Sequence, residues 1–345
     1  MSSRNLLDRL NEGPVICAEG YVFEMERRGY VQAGPYVPEV VLDYPNAVVE
    51  LHREFMNAGS DVIEAFTYYA HREKLKLIGR ESELENINRT ALELAKQVAA
   101  EGDALVAGNI CNTNAFLPGD EQSKKECRAM FEEQVGWAMD AGADFVIGET
   151  FSFAEEALLA LEVIKDAGAI AVITLAVHQA LRDDYTVPEA CQRLKDAGAD
   201  VVGMNCIRGP NTMLPLLEEL SQQVEGPLAA LPVPYRTTPE EVNFQALTDP
   251  GCDCIPDIPF PTALDALSCN RYEIAEFARK AYALGANYQG VCCGAGPHHI
   301  RAMAEALGKQ PPASRYSPDM SKHYALGSNE SLRKENLKFA KEMTE

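Results

Sequence analysis

The chain has 345 residues, 46% of them hydrophobic, and a formal net charge of −21 from 31 basic and 52 acidic side chains. That balance argues against nucleic acid and anionic membrane surfaces as partners, because both are bound by basic patches. No run approaches the roughly 20 apolar residues of a membrane span, and MSSRNLLDRLNEGPVICAEG lacks the apolar segment of a signal peptide. A cytoplasmic protein is therefore expected, with its 10 cysteines reduced.

In chain order, the first apolar run is VICAEG (15–20). The amphipathic stretch NAVVELHREFMN then leads through Ala58-Gly59-Ser60-Asp61 into VIEAFT (62–67). ALVAGNI (104–110) follows, and a second helical stretch, KKECRAMFEEQVGWAMD, leads through Ala141-Gly142-Ala143-Asp144 into FVIGET (145–150). IAVITLAV (170–177) precedes a third copy of the phrase, Ala197-Gly198-Ala199-Asp200, which opens VVGMNC (201–206). PLAALPV (227–233) and a looser copy, Leu284-Gly285-Ala286-Asn287 before YQGVCCG, complete the series.

The glycine reads as a left-handed helix stop and the apolar run as a buried parallel strand. Eight such units in strict alternation predict an α/β protein with a (β/α)8 barrel over residues 1–312. No glycine-rich phosphate fingerprint follows the first strand, which disfavours a nucleotide-binding open sheet. Residues 313–345 depart from the repeat and predict a C-terminal helical extension, with Leu332, Leu337 and Phe339 as apolar positions packing on another surface, such as a second subunit.

In a barrel the C-terminal strand ends share one mouth, where active sites are built. Cys206 ends the sixth strand, and Cys292 and Cys293 end the eighth, two places round the ring. Three thiolates suit Zn²⁺ and leave a fourth position open. The alternative from spacing alone is three small buried residues. Cys252 and Cys254 in the long seventh connection read as packing, as do Cys17, Cys111, Cys127 and Cys191; His298 and His299 read as capping or packing. His178 faces the mouth after the fifth strand.

Glu149 at the fourth strand tip and Glu19 after the first are candidates for binding an ammonium group or carrying protons, with helix capping as the alternative for Glu149. Tyr36, Phe66, Tyr68 and Tyr69 crowd the early loops, as a cation-binding cage or as core.

VFEMERRGYVQAGPY, LHREFMNAGSDVIEAFTYYA, the GMNC strand end and GVCCGAGPHHIRAMAE resemble the zinc-dependent homocysteine S-methyltransferase family, above all its betaine-dependent members. The resemblance runs from about Leu7 to Ser314. It implies zinc ligands at Cys206, Cys292 and Cys293, a glutamate for the homocysteine amino group at Glu149, and donor-pocket aromatics at Tyr36, Tyr68 and Tyr69. Two departures stand out. The betaine-dependent members read Asp-Gly-Gly where this chain has Ala18-Glu19-Gly20, so Glu19 is the expected substitute for the aspartate, with Gly20 in the backbone cradle of the substrate carboxylate; Thr150 stands where they have a tyrosine.

The implied reaction moves a methyl group from an onium donor, glycine betaine first, to the thiol of homocysteine, giving methionine and dimethylglycine. Dimethylsulfoniopropionate and S-methylmethionine are the alternative donors. A zinc hydrolase and a non-catalytic zinc-dependent ligand-binding protein are the other classes, and a homo-oligomer with a shortened C-terminal arm is expected.

Overall fold

The recurrent Ala-Gly-x-Asp phrase is the joint from which the architecture is assembled. In the computed structural model, which describes residues 4–249, 251, 257, 259–316, 320–323, 327 and 334–344, each glycine of the phrase is left-handed: Gly59 at φ 113°, Gly142 at 75°, Gly198 at 97° and Gly285 at 91°. A side chain there would be strained, so glycine ends the helix and turns the chain toward the sheet.

The aspartate then docks the new strand on its predecessor. Asp61 donates its amide to the Ile16 carbonyl at 2.7 Å while its carboxylate accepts the Ile16 amide at 2.7 Å. Asp144 does the same with Val106, at 2.8 and 2.8 Å, and Asp200 with Ala171, at 3.0 and 2.8 Å. Each aspartate thus satisfies an amide at the start of the neighbouring strand, which would otherwise lack a partner. Asn287 in the looser fourth copy instead donates to the Leu10 carbonyl at 3.2 Å.

The strands are β1 (Val15–Ala18), β2 (Val62–Glu64), β3 (Leu105–Cys111), β4 (Phe145–Phe151), β5 (Ala171–Leu175), β6 (Val201–Asn205), β7 (Leu228–Leu231) and β8 (Ala286–Val291). They pair in parallel, in sequence order, and β8 closes on β1. Helices such as Pro45–Ala58, Leu84–Ala99, Glu121–Asp140 and Arg271–Ala283 cross over outside, so the expected (β/α)8 barrel is the observed fold.

Alternation along the strands fills the barrel. Val15 and Cys17 of β1, Val62 of β2, Leu105 and Ala107 of β3, Phe145 and Ile147 of β4, and Tyr288 of β8 form one inner apolar cluster, roofed by Leu6 and Leu10 of the helix Leu6–Glu12. That short helix is fixed by a capping box between Asn5 and Asp8. Two residues further along β1 to β4 the inward positions become polar, at Glu19, Glu64, Asn109 and Glu149, and Asn205 at the end of β6 joins them; all five are buried.

Beyond the barrel, the helix Lys334–Thr344 leaves Leu337 and Phe339 about half exposed. Leu332, Cys252 and Cys254 lie outside the described residues. Among the described residues no helix is long and apolar enough to cross a membrane.

The aspartate joints carry a measurable share of stability. Asp200 also pairs with Lys165 at 2.9 Å. Asp200→Ala is expected to lower unfolding free energy by about 1–3 kcal/mol, read from urea denaturation; an unchanged midpoint would show that the joint carries no weight.

Candidate active site at the barrel mouth

The three cysteines singled out by their strand ends do converge. Their sulfurs lie within 4.8 Å of one another, with Cys292 and Cys293 Sγ 3.9 Å apart. Strand β7 between them sets the spacing. The Cys206 amide donates to the Leu231 carbonyl at 3.0 Å, and the Cys292 amide to the Pro232 carbonyl at 2.9 Å. Consecutive carbonyls at one strand end thus hang the two thiol-bearing segments on either side.

Alternation alone would turn Cys206 away from Asn205, which faces inward. Cys206 instead takes a left-handed backbone, φ 57°, followed by Ile207 at 55°. The same conformation recurs at Tyr36 (52°), Tyr69 (60°), Asn114 (58°) and Thr150 (61°). All six residues line one cavity of about 330 Å³ at the mouth. Strained backbone of this kind, about 1–3 kcal/mol per residue, concentrates where a site needs side chains that regular strands cannot present together.

The sulfurs fit a tetrahedral ion. Zn–S bonds of about 2.3 Å place sulfurs about 3.8 Å apart, close to the separation of Cys292 and Cys293. Hydrogen bonds from Cys292 and Cys293 pull the Cys206 thiol well below its ordinary value, while sharing with Cys206 pushes both partners up. Cys206 is therefore the sulfur that favours the thiolate, with Cys292 and Cys293 as its thiol donors.

Directly beneath lies the polar layer. Asn109 bridges Glu64 and Glu149, reaching Glu149 at 2.7 Å. Asn205 donates to Glu149 at 2.7 Å and to Glu19 at 3.4 Å, and accepts the Thr150 amide at 3.0 Å. The Thr150 hydroxyl adds a bond of 2.9 Å to Glu149. Burial pushes Glu149 up to about 7; burial and the Glu149 charge raise Glu19 and Glu64 well above the ordinary carboxylate range. One oxygen of Glu19 has no hydrogen-bond partner. Glu19, Glu64, Glu149, Cys292 and Cys293 together line a small space of about 20 Å³. Three carboxyl groups around so small a volume raise one another's pKa, and a cation among them would relieve that repulsion.

Glu149 faces this layer rather than capping a helix; the helix Ala154–Asp166 begins after Phe153 without a side-chain cap. Tyr36, Tyr68 and Tyr69 line the larger cavity with Phe23, Phe244 and Phe260. Burial, aided by the charges of Glu26 and Cys293, pushes Tyr36 up to about 12, so its phenol stays neutral. Phe23 and Tyr36 rings stand 5.6 Å apart, Tyr68 and Tyr69 4.3 Å. One face of Tyr69 is covered by the Lys74 ammonium at 3.9 Å, which leaves Tyr36 and Tyr68 better placed to meet a second cation. Gly20 lines neither space; a Cβ there would fall 2.2 Å from the Ala295 carbonyl oxygen, so close packing demands the glycine.

His178 lines the larger cavity. His299 is a helix-end residue, accepting the Gly296 amide at 3.2 Å and meeting the Cys269 carbonyl at 3.0 Å. Cys17, Cys111, Cys127 and Cys191 are buried free thiols. Sequence reading passed over Glu64, Asn109 and Asn205, although each is a polar residue at an inward position of an otherwise apolar strand.

A family model described as homocysteine S-methyltransferase matches residues 19–307. Betaine–homocysteine S-methyltransferase 1 of Danio rerio is 39% identical over 332 residues, spanning 94% of this chain and 80% of its own. S-methylmethionine–homocysteine S-methyltransferase of Pongo abelii is 36% identical over 334 residues, spanning 95% and 87%. The metallated form of the homocysteine methyltransferase MmuM from Escherichia coli shares the fold, with a TM-score of 0.67 at 20% identity over 86% of this chain and 98% of that one.

Asn205 is the hub of the polar layer. Asn205→Ala is expected to cost about 1–3 kcal/mol of stability, because it leaves Glu149 and Glu19 buried with fewer donors. Thermal unfolding of the metal-free protein reads this, and an unaltered transition would mean that the layer does not depend on the amide.

Proposed function

This chain belongs to the homocysteine S-methyltransferase family, and from that premise we propose that it transfers a methyl group from an onium donor, glycine betaine, to the sulfur of homocysteine. The observation that carries the zinc-dependent form of this reading is the convergence of Cys206, Cys292 and Cys293 at the mouth of the barrel. Zinc held by these three sulfurs would lower the pKa of the homocysteine thiol and keep its sulfur nucleophilic at neutral pH.

The side chains of this protein do the rest by placement. Glu149, assisted by Glu19 and Glu64, holds the homocysteine ammonium beside Cys292, in the space the three carboxylates enclose. The Thr150 hydroxyl and the two asparagines keep Glu149 oriented. Tyr36 and Tyr68 offer ring faces to the donor's positive head, each contact worth about 0.5–2 kcal/mol. Gly20 keeps the chain close to Ala295 and so fixes where Glu19 leaves β1.

In the transfer a sulfur–carbon bond forms and the carbon–nitrogen bond of the donor breaks. The electron pair of that bond leaves on nitrogen, giving dimethylglycine and methionine. The leaving amine is neutral at the moment of departure, so no general acid is needed; the thiol proton has already gone to solvent. Catalysis then comes from alignment of sulfur, methyl carbon and leaving group in a cavity with aromatic walls. Relatives named for betaine and for S-methylmethionine share this similarity, and the first-strand change to Ala18-Glu19 makes the donor the part of the reading to test against alternatives.

The test is methionine formation from homocysteine by zinc-loaded protein, with glycine betaine, dimethylsulfoniopropionate and S-methylmethionine in parallel. Glycine betaine is expected to support turnover, and failure with all three would overturn the reading. Cys206→Ala is expected to lose bound zinc, measured by mass spectrometry of the metal, together with activity. Retention of both would remove the ligand assignment.

A further inference from the structure

The mouth cavity carries a cation that the methyl transfer as described does not use. Arg182 lies in the segment after β5 and lines the same cavity as Cys206, Cys293, Tyr36 and Tyr68. We propose that Arg182 is the receptor for the donor's carboxylate, so that the cavity selects onium carboxylates over onium compounds that lack an acid group. This rests on the methyl-transfer reading and adds the residue that sets its donor specificity.

The segment holding Arg182 is fixed on both sides. The Arg182 amide donates to the Ser152 carbonyl at 2.8 Å, and Asp183 accepts the Glu155 amide at 3.0 Å. At the root of the segment, the buried Arg208 donates to the Val177 carbonyl at 2.9 Å and to the His178 carbonyl. The Arg182 guanidinium lies over the Phe153 ring, 4.9 Å from its centre, which limits the rotamers open to it. Phe153 lines the cavity too. Backbone bonds therefore fix the main chain at Arg182, and the Phe153 face orients its exposed guanidinium at the cavity wall, which reduces the entropy lost on binding an anion.

The acidic groups nearby do not occupy it. Among the described residues no carboxylate forms an ion pair with Arg182, whereas most arginines of this acidic chain are paired, as Arg28 is with Glu54 and Arg80 with Asp43. Glu156, which lines the same cavity, spends one oxygen on the Thr113 amide at 2.8 Å and the Thr113 hydroxyl at 2.7 Å. A single space thus has neutral aromatic walls beside the thiols and, at its rim, a guanidinium that feels the Glu156 charge but forms no ion pair with it among the described residues. That pairing suits a zwitterion: an onium head on the rings and a carboxylate on the planar fork of the arginine.

The experiment compares wild-type, Arg182→Gln and Arg182→Lys in the zinc-loaded protein, with binding read by calorimetry and turnover by methionine formation. The probes are glycine betaine, dimethylsulfoniopropionate, and tetramethylammonium, which has the onium head alone. Arg182→Gln is expected to weaken glycine betaine or dimethylsulfoniopropionate, whichever the wild type prefers, by about 10- to 100-fold in Kd and KM. The KM for homocysteine and the affinity for tetramethylammonium should be unchanged, and Arg182→Lys should restore part of the loss. The preferred probe of the two, a trimethylammonium with one methylene before its carboxylate and a dimethylsulfonium with two, shows which onium head and charge separation the cavity accepts together. Equal weakening of tetramethylammonium and the carboxylates would show a structural role, and no weakening of the carboxylates, or no binding of them to the wild type, would overturn the proposal. Because binding is read apart from turnover, absence of methionine with an intact Arg182 effect on affinity would fault the reaction and leave the receptor standing.

Discussion

The site depends on breaking the two-residue alternation of a β-strand at chosen strand ends. A regular strand presents every second side chain to the barrel axis, so Asn205 and Cys206 could not both serve the mouth, nor could Glu149 and Thr150. Left-handed backbone at Cys206 and Thr150 lifts that restriction. In β4 the ladder to β5 also shifts register between Gly148 and Phe151, the mark of a bulge that re-aims side chains. The strain is sustained by neighbours that over-determine it: the Leu231 carbonyl on Cys206, and the Asn205 amide oxygen on the Thr150 amide.

Below the thiols the barrel changes character within one step of the pleat. The apolar plug of Val62, Ala107 and Ile147 gives way, two residues on, to Glu64, Asn109 and Glu149. Burying three carboxylates would be prohibitive if all were charged and unpaired. Here neutral amides of Asn109 and Asn205 supply the donors, and burial keeps Glu19 and Glu64 favouring their protonated forms. No arginine or lysine is committed to the cluster among the described hydrogen bonds, so no side-chain cation offsets the Glu149 carboxylate there. The sulfurs and the carboxylates thus face one another across a small space, one set suited to a metal and the other to an amine.

The fold was legible because its signal is repeated and local. Gly59, Gly142 and Gly198 stop helices, and Asp61, Asp144 and Asp200 dock strands, each within a few residues of an apolar run. The thiols were legible because a strand end fixes the mouth to which a residue belongs. Glu64, Asn109 and Asn205 were harder to see: a polar residue inside an apolar run gains meaning only once the strand's inward parity is known. Glu149 had a capping alternative in the sequence that only the inward direction of β4 removes. The left-handed residues Tyr36, Tyr69 and Ile207 carry no sequence mark, since they are neither glycine nor asparagine and owe their conformation to tertiary contacts.

The central claim is that Cys206, Cys292 and Cys293 hold zinc with a position open to the sulfur of homocysteine. X-ray absorption at the zinc edge, taken on the zinc-loaded protein before and after homocysteine is added, tests it most directly. The account predicts three sulfur neighbours at about 2.3 Å, rising to four when homocysteine is present. A sulfur count that starts below three, or that does not change with homocysteine, would contradict it.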